Sequence, residues 1–221
     1  MDSDLWPLAA LRLRTPRLEL RPPSDRDLGD LARLAAAGVH DPQVQPFTVA
    51  WTDVSPAERA RSVLQHHWRQ LAAWTPERWT LQLVVLHDGA VVGTQGISGH
   101  DFGLLREVAT GSWLGQAHQR RGIGTEMRAA VLQLAFAGLG AESAVSAAFS
   151  DNAASLAVSR KLGYRDDGIE QHVSRGQAAT VRRLRLDRRT WQAAHRTPVS
   201  IEGLEACLPM FGLTPDGAAG A

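Results

Sequence analysis

Apolar positions change period along this chain, and the changes mark its elements. Leu18 and Leu20 alternate with charged neighbours and stop at Pro22-Pro23, which predicts a strand. Residues 1–16, with Trp6-Pro7, read as a short arm before it. Behind Ser24, Leu28, Leu31 and Leu34 recur at helical spacing, with Asp27 in the first turn and Gly38 at the end. His40–Asp53 carries Pro42, Pro46, Phe47 and Trp51 and reads as a loop. A second helix is expected from Ser55-Pro56, with Ala60, Leu64, Leu71 and Trp74 in helical register. Trp79–Leu86 and Ala90–Ile97 read as strands joined through His87-Asp88-Gly89, a hairpin signal. Gly99–Leu105 reads as a loop and Glu107–Leu114 as a strand.

The order then changes. Gly115–Gly124 is an expected loop, and Thr125–Leu139 a helix with Met127, Ala130, Val131, Leu134 and Ala135 inward, ended by Gly140. Ser143–Phe149 reads as a strand and Asn152–Leu162 as a helix closed by Gly163. Strands near Gly168–Val173 and Ala178–Leu186 follow. Residues 190–208 form a C-terminal extension, and the Gly/Ala/Pro-rich stretch 209–221 is expected to be a disordered tail. An antiparallel half thus feeds a strand–helix–strand–helix half. The class is α/β (α+β): one mixed, mostly antiparallel sheet, flanked by helices, with a central parallel pair. Such a junction is where open sheets bind ligands.

The 221 residues suit one domain, 1–208, with the tail beyond it. The net charge of +1 argues against a polyanion or nucleic-acid binder. The cluster Arg182, Arg183, Arg185, Arg188 and Arg189 alternates with Val181, Leu184 and Leu186, as on a strand with one solvated face. The single cysteine, Cys207, excludes an internal disulfide and reads as a packed residue. Met1-Asp2-Ser3-Asp4 lacks the basic-then-apolar order of a signal peptide, and no apolar run approaches the ~20 residues that cross a bilayer. A soluble, cytoplasmic protein with no membrane partner is expected. His66 and His67 point about 100° apart on a helix, and no ligand set backs them, so no metal is expected.

Candidate chemistry concentrates at Gln119-Arg120-Arg121-Gly122-Ile123-Gly124-Thr125, between a strand and a helix. A helix start offers unpaired N–H groups and partial positive charge. Gly122 and Gly124 allow close approach and positive φ, Arg120 and Arg121 add cations, and Thr125 adds a hydroxyl. The spacing fits neither a P-loop nor a dinucleotide fingerprint. On these residues alone, a glycine-rich helix start with exposed arginines is an equal reading.

Four segments together carry a resemblance. Gln119–Gly124 is similar to the Q/R-x-x-G-x-G/A motif of GNAT acyltransferases. Gly111-Ser112-Trp113-Leu114-Gly115 resembles their fourth strand, especially in the ribosomal-protein N-alpha-acetyltransferase subgroup. Asn152–Ser155 and Lys161-Leu162-Gly163-Tyr164 resemble their N-x-x-S and K-x-G-[FY] segments. Gly38–Pro42, Gly124–Val131 and Ser159–Asp166 are similar to stretches of actinobacterial acetyl- or succinyltransferases. The resemblance implies a parallel pair splayed at a bulge, with coenzyme A lying between the strands as acetyl-CoA or succinyl-CoA. It implies a direct attack of a primary amine on the thioester. It places cofactor contacts at Trp113 and Leu114, Gln119 to Thr125, Asn152, Ser155, Arg160 and Lys161. Asn152 reads also as a simple N-cap, Ser155 as a helix residue bonded to its own backbone, and Arg160 and Lys161 as part of a solvated face.

The attacking amine must be neutral, so a base or water takes its proton. The resemblance makes Leu114 the oxyanion amide and Ser155 the partner of the thiolate; Ser159 stands where many members have tyrosine. Position 109, where the subgroup often has glutamate, is Ala109; Glu107, on the same strand face, is the substitute base, with His100 and Asp101 behind it. The acceptor pocket is expected from His40, Phe47 and Trp51, with His100 and Asp101 at its edge and Trp74 and Trp79 further candidates. A protein N-terminus, a lysine or a small-molecule amine would all suit it. Recognition of a succinyl carboxylate would call for His100, Gln95 or Arg106. The extension 190–208 suggests a homodimer. A module that binds acyl-CoA without turnover, as a sensor, is the alternative.

Overall fold

The computed structural model describes residues 2–194 and 197–214. Its strands are β1 (Arg12–Arg14), β2 (Leu18–Arg21), β3 (Arg78–His87), β4 (Ala90–His100), β5 (Glu107–Leu114), β6 (Ser143–Phe149), β7 (Arg165–Ser174), β8 (Gln177–Asp187) and β9 (Ser200–Glu202). Its helices are α1 (Asp25–Ala37), α2 (Pro56–Ala72), α3 (Phe102–Leu105), α4 (Ile123–Gln133), α5 (Ala153–Lys161) and α6 (Arg188–Ala194). Among the described residues the strands form one nine-stranded sheet, ordered β7-β8-β6-β5-β4-β3-β2-β1-β9. Every pairing is antiparallel except β5 with β6. This is the expected mixed class.

Helices α1 and α2 begin where the sequence predicts, and α4 begins at Ile123, two residues before the expected Thr125. Ser24 and Asp27 make a reciprocal capping box at α1, and Ser55 and Glu58 make another at α2, behind Pro56. Trp113 and Leu114, neighbours on β5, point to opposite sides of the sheet. Trp113 joins Leu31 and Ala35 of α1 and Val63 of α2, while Leu114 joins Ile123, Met127 and Val131 of α4. One face is therefore covered by α1 and α2, the other by α4. Past Gln133 the helix widens into a π turn, Leu134–Gly138, before Gly140 at φ +72° ends it.

Several expectations need correction at the ends. The arm 1–16 contains a 3₁₀ turn at Pro7–Ala10 and strand β1, because Leu8, Leu11 and Leu13 are fully buried. The loop expected at 99–105 holds the end of β4 and the single turn α3, pinned by buried Phe102. The described part of the extension beyond 190 packs on its own molecule. β9 pairs with β1, and a 3₁₀ stretch, Glu205–Phe211, buries Cys207 and Phe211. Order thus runs past 208: Trp74 donates to the Met210 carbonyl at 2.9 Å, and the Phe211 ring lies 4.8 Å from that of Trp79. The rest of the expected tail, 215–221, lies outside the described residues. Trp74 and Trp79 belong to this cluster rather than to an acceptor pocket.

The arginines of β8 face acids. Arg182 pairs with Asp166, Arg183 with Glu170, and Arg185 with Glu107 and Asp167; just past the strand, Arg188 pairs with Glu142.

Candidate active site

β5 and β6 pair over only three positions, Glu107↔Ser143 to Ala109↔Val145. Both then continue, β5 along β4 to Leu114 and β6 along β8 to Phe149. A wedge-shaped gap therefore opens between 110–114 and 146–149. The strands part without the expected bulge, since β5 keeps one register against β4 throughout. Gly93 permits the tight β4–β5 approach beside the gap: a Cβ there would lie 2.3 Å from the Trp113 carbonyl oxygen.

The ladder decides which amides line the gap. The Gly115 N–H donates to the Val92 carbonyl of β4 at 3.0 Å. Alternate residues of an antiparallel ladder face the same neighbour, so the main chains of Gly111 and Trp113 also face β4. Those of Thr110, Ser112 and Leu114 face the gap. Of the two main-chain candidates, Leu114 is presented to it and Trp113 is not.

At the mouth of the gap, α4 starts from Gly122 in the left-handed region at φ +78°, with Arg120 also left-handed at φ +60°. The first bonds into the helix run from the Thr125 and Glu126 N–H groups to the Gly122 carbonyl, at 3.1 and 3.2 Å. Among the described residues the N–H groups of Arg120, Arg121, Gly122, Ile123 and Gly124 have no protein partner. Two left-handed residues set these consecutive donors at the positive end of a helix, an arrangement that suits an anion.

Gln119 supports this loop from behind. Its Nε2 donates to the carbonyls of Val39 (2.7 Å) and Leu114 (3.1 Å). Arg17 pairs with Glu126 and donates to the Arg121 carbonyl at 3.1 Å. Arg120 and Arg121 are exposed, and Thr125 is half-buried. A methyl on Gly124 would lie 3.7 Å from Val158, which sets the last turn of α5, with exposed Arg160 and Lys161, beside the loop.

Asn152 caps α5: its Oδ1 accepts the Ser155 N–H at 3.0 Å, and its Nδ2 donates to the Pro46 carbonyl at 3.3 Å. The side chain is thereby engaged at both ends. The Ser155 hydroxyl has no partner among the described residues.

One residue that the sequence reading missed lies against the gap. Arg128 of α4 is only 5% exposed. Its guanidinium donates to Ser159 Oγ of α5 at 2.9 Å and to Ser112 Oγ of β5 at 3.5 Å, and its Nε has no partner. Burial lowers its pKa. Burial also raises that of neighbouring Tyr164, whose hydroxyl lies 3.4 Å from Thr110 Oγ1. A signal was available: Gly124, Arg128, Val131 and Ala135 share one helix face, and an arginine there must be inward.

On the other sheet face, His40, Phe47, Trp51 and Trp113 form a chain of rings with centroid separations of 5.7, 5.3 and 5.6 Å. Of the expected acceptor residues, His40, Phe47 and Trp51 are thus brought together, while His100 and Asp101 lie apart from them. His40 is held at both nitrogens, Nδ1 by the Asp41 carbonyl (2.7 Å) and Nε2 by the Thr52 hydroxyl (2.8 Å). A carbonyl only accepts, so Nδ1 carries a proton. The β7–β8 turn closes over this loop: Arg175 grips Asp53 through two bonds of 2.9 and 2.6 Å and donates to the Gln43 carbonyl at 3.3 Å.

The base candidates lie elsewhere. Glu107 sits at the paired end of β5, about 20 Å along the strand from Trp113. Its carboxylate is engaged by Arg185 and by the Ser143 hydroxyl at 2.9 Å. His100, opposite this end, forms an exposed pair with Asp101 at 3.0 Å. The structure therefore separates these three from the aromatic chain. The Gln95 Nε2 donates to the Gly96 and Gly111 carbonyls, its Oε1 lies buried without a partner, and Arg106 donates to the Leu139 carbonyl. Among the described residues no group of three His, Cys, Asp or Glu side chains could hold a metal ion, and no helix is long and apolar enough to cross a membrane.

Comparison with known proteins gives a family and a fold. The family model described as acetyltransferase (GNAT) domain matches residues 17–165. The fold is similar to that of Mycobacterium smegmatis RimJ in complex with CoA-disulfide, at 22% identity, 86% of this chain, 97% of that chain and a TM-score of 0.68. It is also similar to RimL, a ribosomal alpha-N-protein acetyltransferase in complex with coenzyme A, at 17% identity, 78% of this chain, 95% of that chain and a TM-score of 0.62.

Proposed function

The chain belongs to the acetyltransferase (GNAT) domain family, and on that premise we propose that it is an acyl-coenzyme A-dependent N-acyltransferase that moves an acetyl group to a primary amine by direct attack. The observation that carries this reading is the run of unpaired amides at 120–124, set at the mouth of the gap between β5 and β6. A diphosphate fits those amides, and an extended amide-bearing arm fits the free edge of β5. A coenzyme A thioester supplies an acyl carbon activated toward amines and a thiolate leaving group.

The chain's residues then divide the work. Amides 120–124 hold the diphosphate, with Arg120, Arg121, Arg160 and Lys161 adding charge at its rim. The main chains of Thr110, Ser112 and Leu114 pair with the pantetheine arm as an added strand would. The Leu114 or Ser112 N–H donates to the acyl oxygen, where negative charge develops. The free Ser155 hydroxyl donates to the departing sulfur. Asn152 holds the helix start and the 40–53 loop rather than the coenzyme. Glu107, tied to Arg185 and Ser143, anchors the closed end of the strands, and water takes the amine proton.

The aromatic chain from His40 to Trp113, roofed by Arg175 and Asp53, suits an amine on a slender carrier: a protein N-terminus, a lysine side chain or a small-molecule amine. Acetyl is the favoured donor, because the three expected carboxylate partners are engaged elsewhere: Gln95 with the Gly96 and Gly111 carbonyls, Arg106 with the Leu139 carbonyl and His100 with Asp101. Ala109 and the engaged Glu107 favour a second reading, a binding module without turnover.

Thiol release from acetyl-CoA and succinyl-CoA across a panel of peptides and amines, beside calorimetric titration with coenzyme A, tests both. Release with an amine supports the enzyme, and binding without release from any acceptor supports the sensor. No binding of coenzyme A removes both.

A further inference from the structure

We propose that Arg128 is a further catalytic residue, whose buried guanidinium stabilises the coenzyme A sulfur as thiolate when the C–S bond breaks. The inference rests on the acyltransferase reading and deepens it.

The argument starts from an unbalanced charge. A guanidinium buried away from water needs a counter-charge or a full set of acceptors. Arg128 has two serine hydroxyls and, among the described residues, no carboxylate partner. Its Nε is buried with nothing to bond. The titratable group facing it is Tyr164, which burial keeps as the neutral phenol. Ser159 cannot neutralise it, because its hydroxyl proton goes to the Ser155 carbonyl at 3.1 Å. A side chain in this state is poised for an anion it does not yet have.

Position selects the anion. Arg128 reaches from α4 to Ser112 on the β5 wall of the gap and to Ser159 of α5. It sits six residues past Gly122, about 9 Å deeper along α4 than the diphosphate site. The diphosphate is already provided for at the mouth. Deeper in the gap the reaction creates one further anion that outlasts the transition state. As the amine nitrogen bonds the acyl carbon and the C–S bond breaks, its electron pair passes to sulfur. The amine proton leaves to water, and the thiolate takes a proton from solvent on release. Arginine does not donate that proton at neutral pH, so its contribution is electrostatic.

The test reads the sulfur directly. Coenzyme A bound to the full chain is titrated by the ultraviolet absorbance of its thiolate, in wild type, Arg128→Met and Arg128→Lys. An opposite charge within ~4–6 Å lowers a pKa by about 1–3 units. The bound thiol of wild type should therefore ionise at least ~1 unit below free coenzyme A. Arg128→Met should return it to the free value or above, and Arg128→Lys should keep part of the shift.

A wild-type thiol ionising no lower than free coenzyme A overturns the proposal, and that measurement needs no variant to fold. An unchanged shift in Arg128→Met overturns it too. So does a loss in that variant of succinyl-CoA affinity alone with the thiol unmoved, which would make Arg128 a receptor for a donor carboxylate. If wild type binds no coenzyme A, the acyltransferase reading fails with it. Binding with an unshifted thiol removes the role of Arg128 and leaves that reading standing.

Discussion

Gly122→Ala and Gly29→Ala make the same chemical change with opposite expected outcomes. At Gly122 the backbone is left-handed, φ +78°, and a Cβ would meet Arg17 Nη2 at 3.3 Å. The arginine tip can move, but the backbone cost stays, about 1–2 kcal/mol for a residue with a side chain. Lower entropy of the unfolded chain returns roughly 0.4–1 kcal/mol. The net is a destabilisation of about 1 kcal/mol, or a fall of ~2–4 °C in Tm for a domain of this size. Gly29 lies inside α1, where a Cβ would touch only the flexible Arg33 guanidinium at 3.5 Å. Alanine there should stabilise by ~0.5–1 kcal/mol. The functional outcome separates them further. If the backbone of the Gly122→Ala variant relaxes toward negative φ, the amides of 122 and 123 leave their common focus. Each hydrogen bond to a charged group is worth ~1.5–3 kcal/mol, so loss of even one of the two should raise the coenzyme A Kd by about ten- to a hundredfold. Gly29→Ala should leave Kd unchanged. Thermal unfolding and calorimetric titration of both variants decide the matter. A Gly122→Ala protein with wild-type Kd and little loss of stability, the mark of a relaxed backbone, would refute the amide cradle as the diphosphate site.

Three further outcomes are expected. Glu107→Gln should change kcat by less than about threefold, under ~0.7 kcal/mol of barrier, because the carboxylate is engaged by Arg185 and Ser143; a loss beyond ~tenfold in steady-state kinetics would restore Glu107 as the base. Arg175→Ala should raise the acceptor KM while sparing the coenzyme A Kd, since Arg175 ties the β7–β8 turn to Asp53 and touches nothing at 120–124; equal effects on both ligands would contradict a roof over the acceptor. Phe211→Ala should cost about 3–5 kcal/mol in urea unfolding, as a fully buried ring against Trp74 and Trp79; a cost below ~1 kcal/mol would mean the C-terminal segment is not part of the core.

Legibility in the sequence followed locality. Ser24, Ser55-Pro56 and Asp88-Gly89 act within a few residues of themselves, and the elements they start or turn lie where expected. The loop 119–125 is equally local, since its donors are free because a helix begins there. What escaped was decided at a distance. β1 and β9 are three residues each and are held by partners far away or across a turn, Leu13 meeting Ile201 on one side and Leu20 on the other. Three residues carry too short an alternation to read. Trp74 and Trp79 fitted an aromatic pocket as readily as a core until Phe211 arrived beside them. Glu107 lay on the correct strand face, but its engagement depends on Arg185 of β8, 78 residues away. Arg128 was the one local signal left unread, a charge on the inward face of an apolar helix.

The same division runs through the site itself. The donor half is built from short-range features: a seven-residue loop, a helix cap and one strand edge. The acceptor half needs Arg175 to reach Asp53 across 122 positions, and Asn152 to reach Pro46 across 106. A contact between distant segments changes when either segment changes, whereas a helix start carries its amides wherever it is placed. Substitutions in 40–53 or in the β7–β8 turn can therefore alter which amine is admitted without disturbing the amides at 120–124. Arg128 stands between the halves, bonded to the strand that lines the donor gap and to the helix that Asn152 caps. It is the position where loss of a single charge would reach the chemistry without first undoing either binding site.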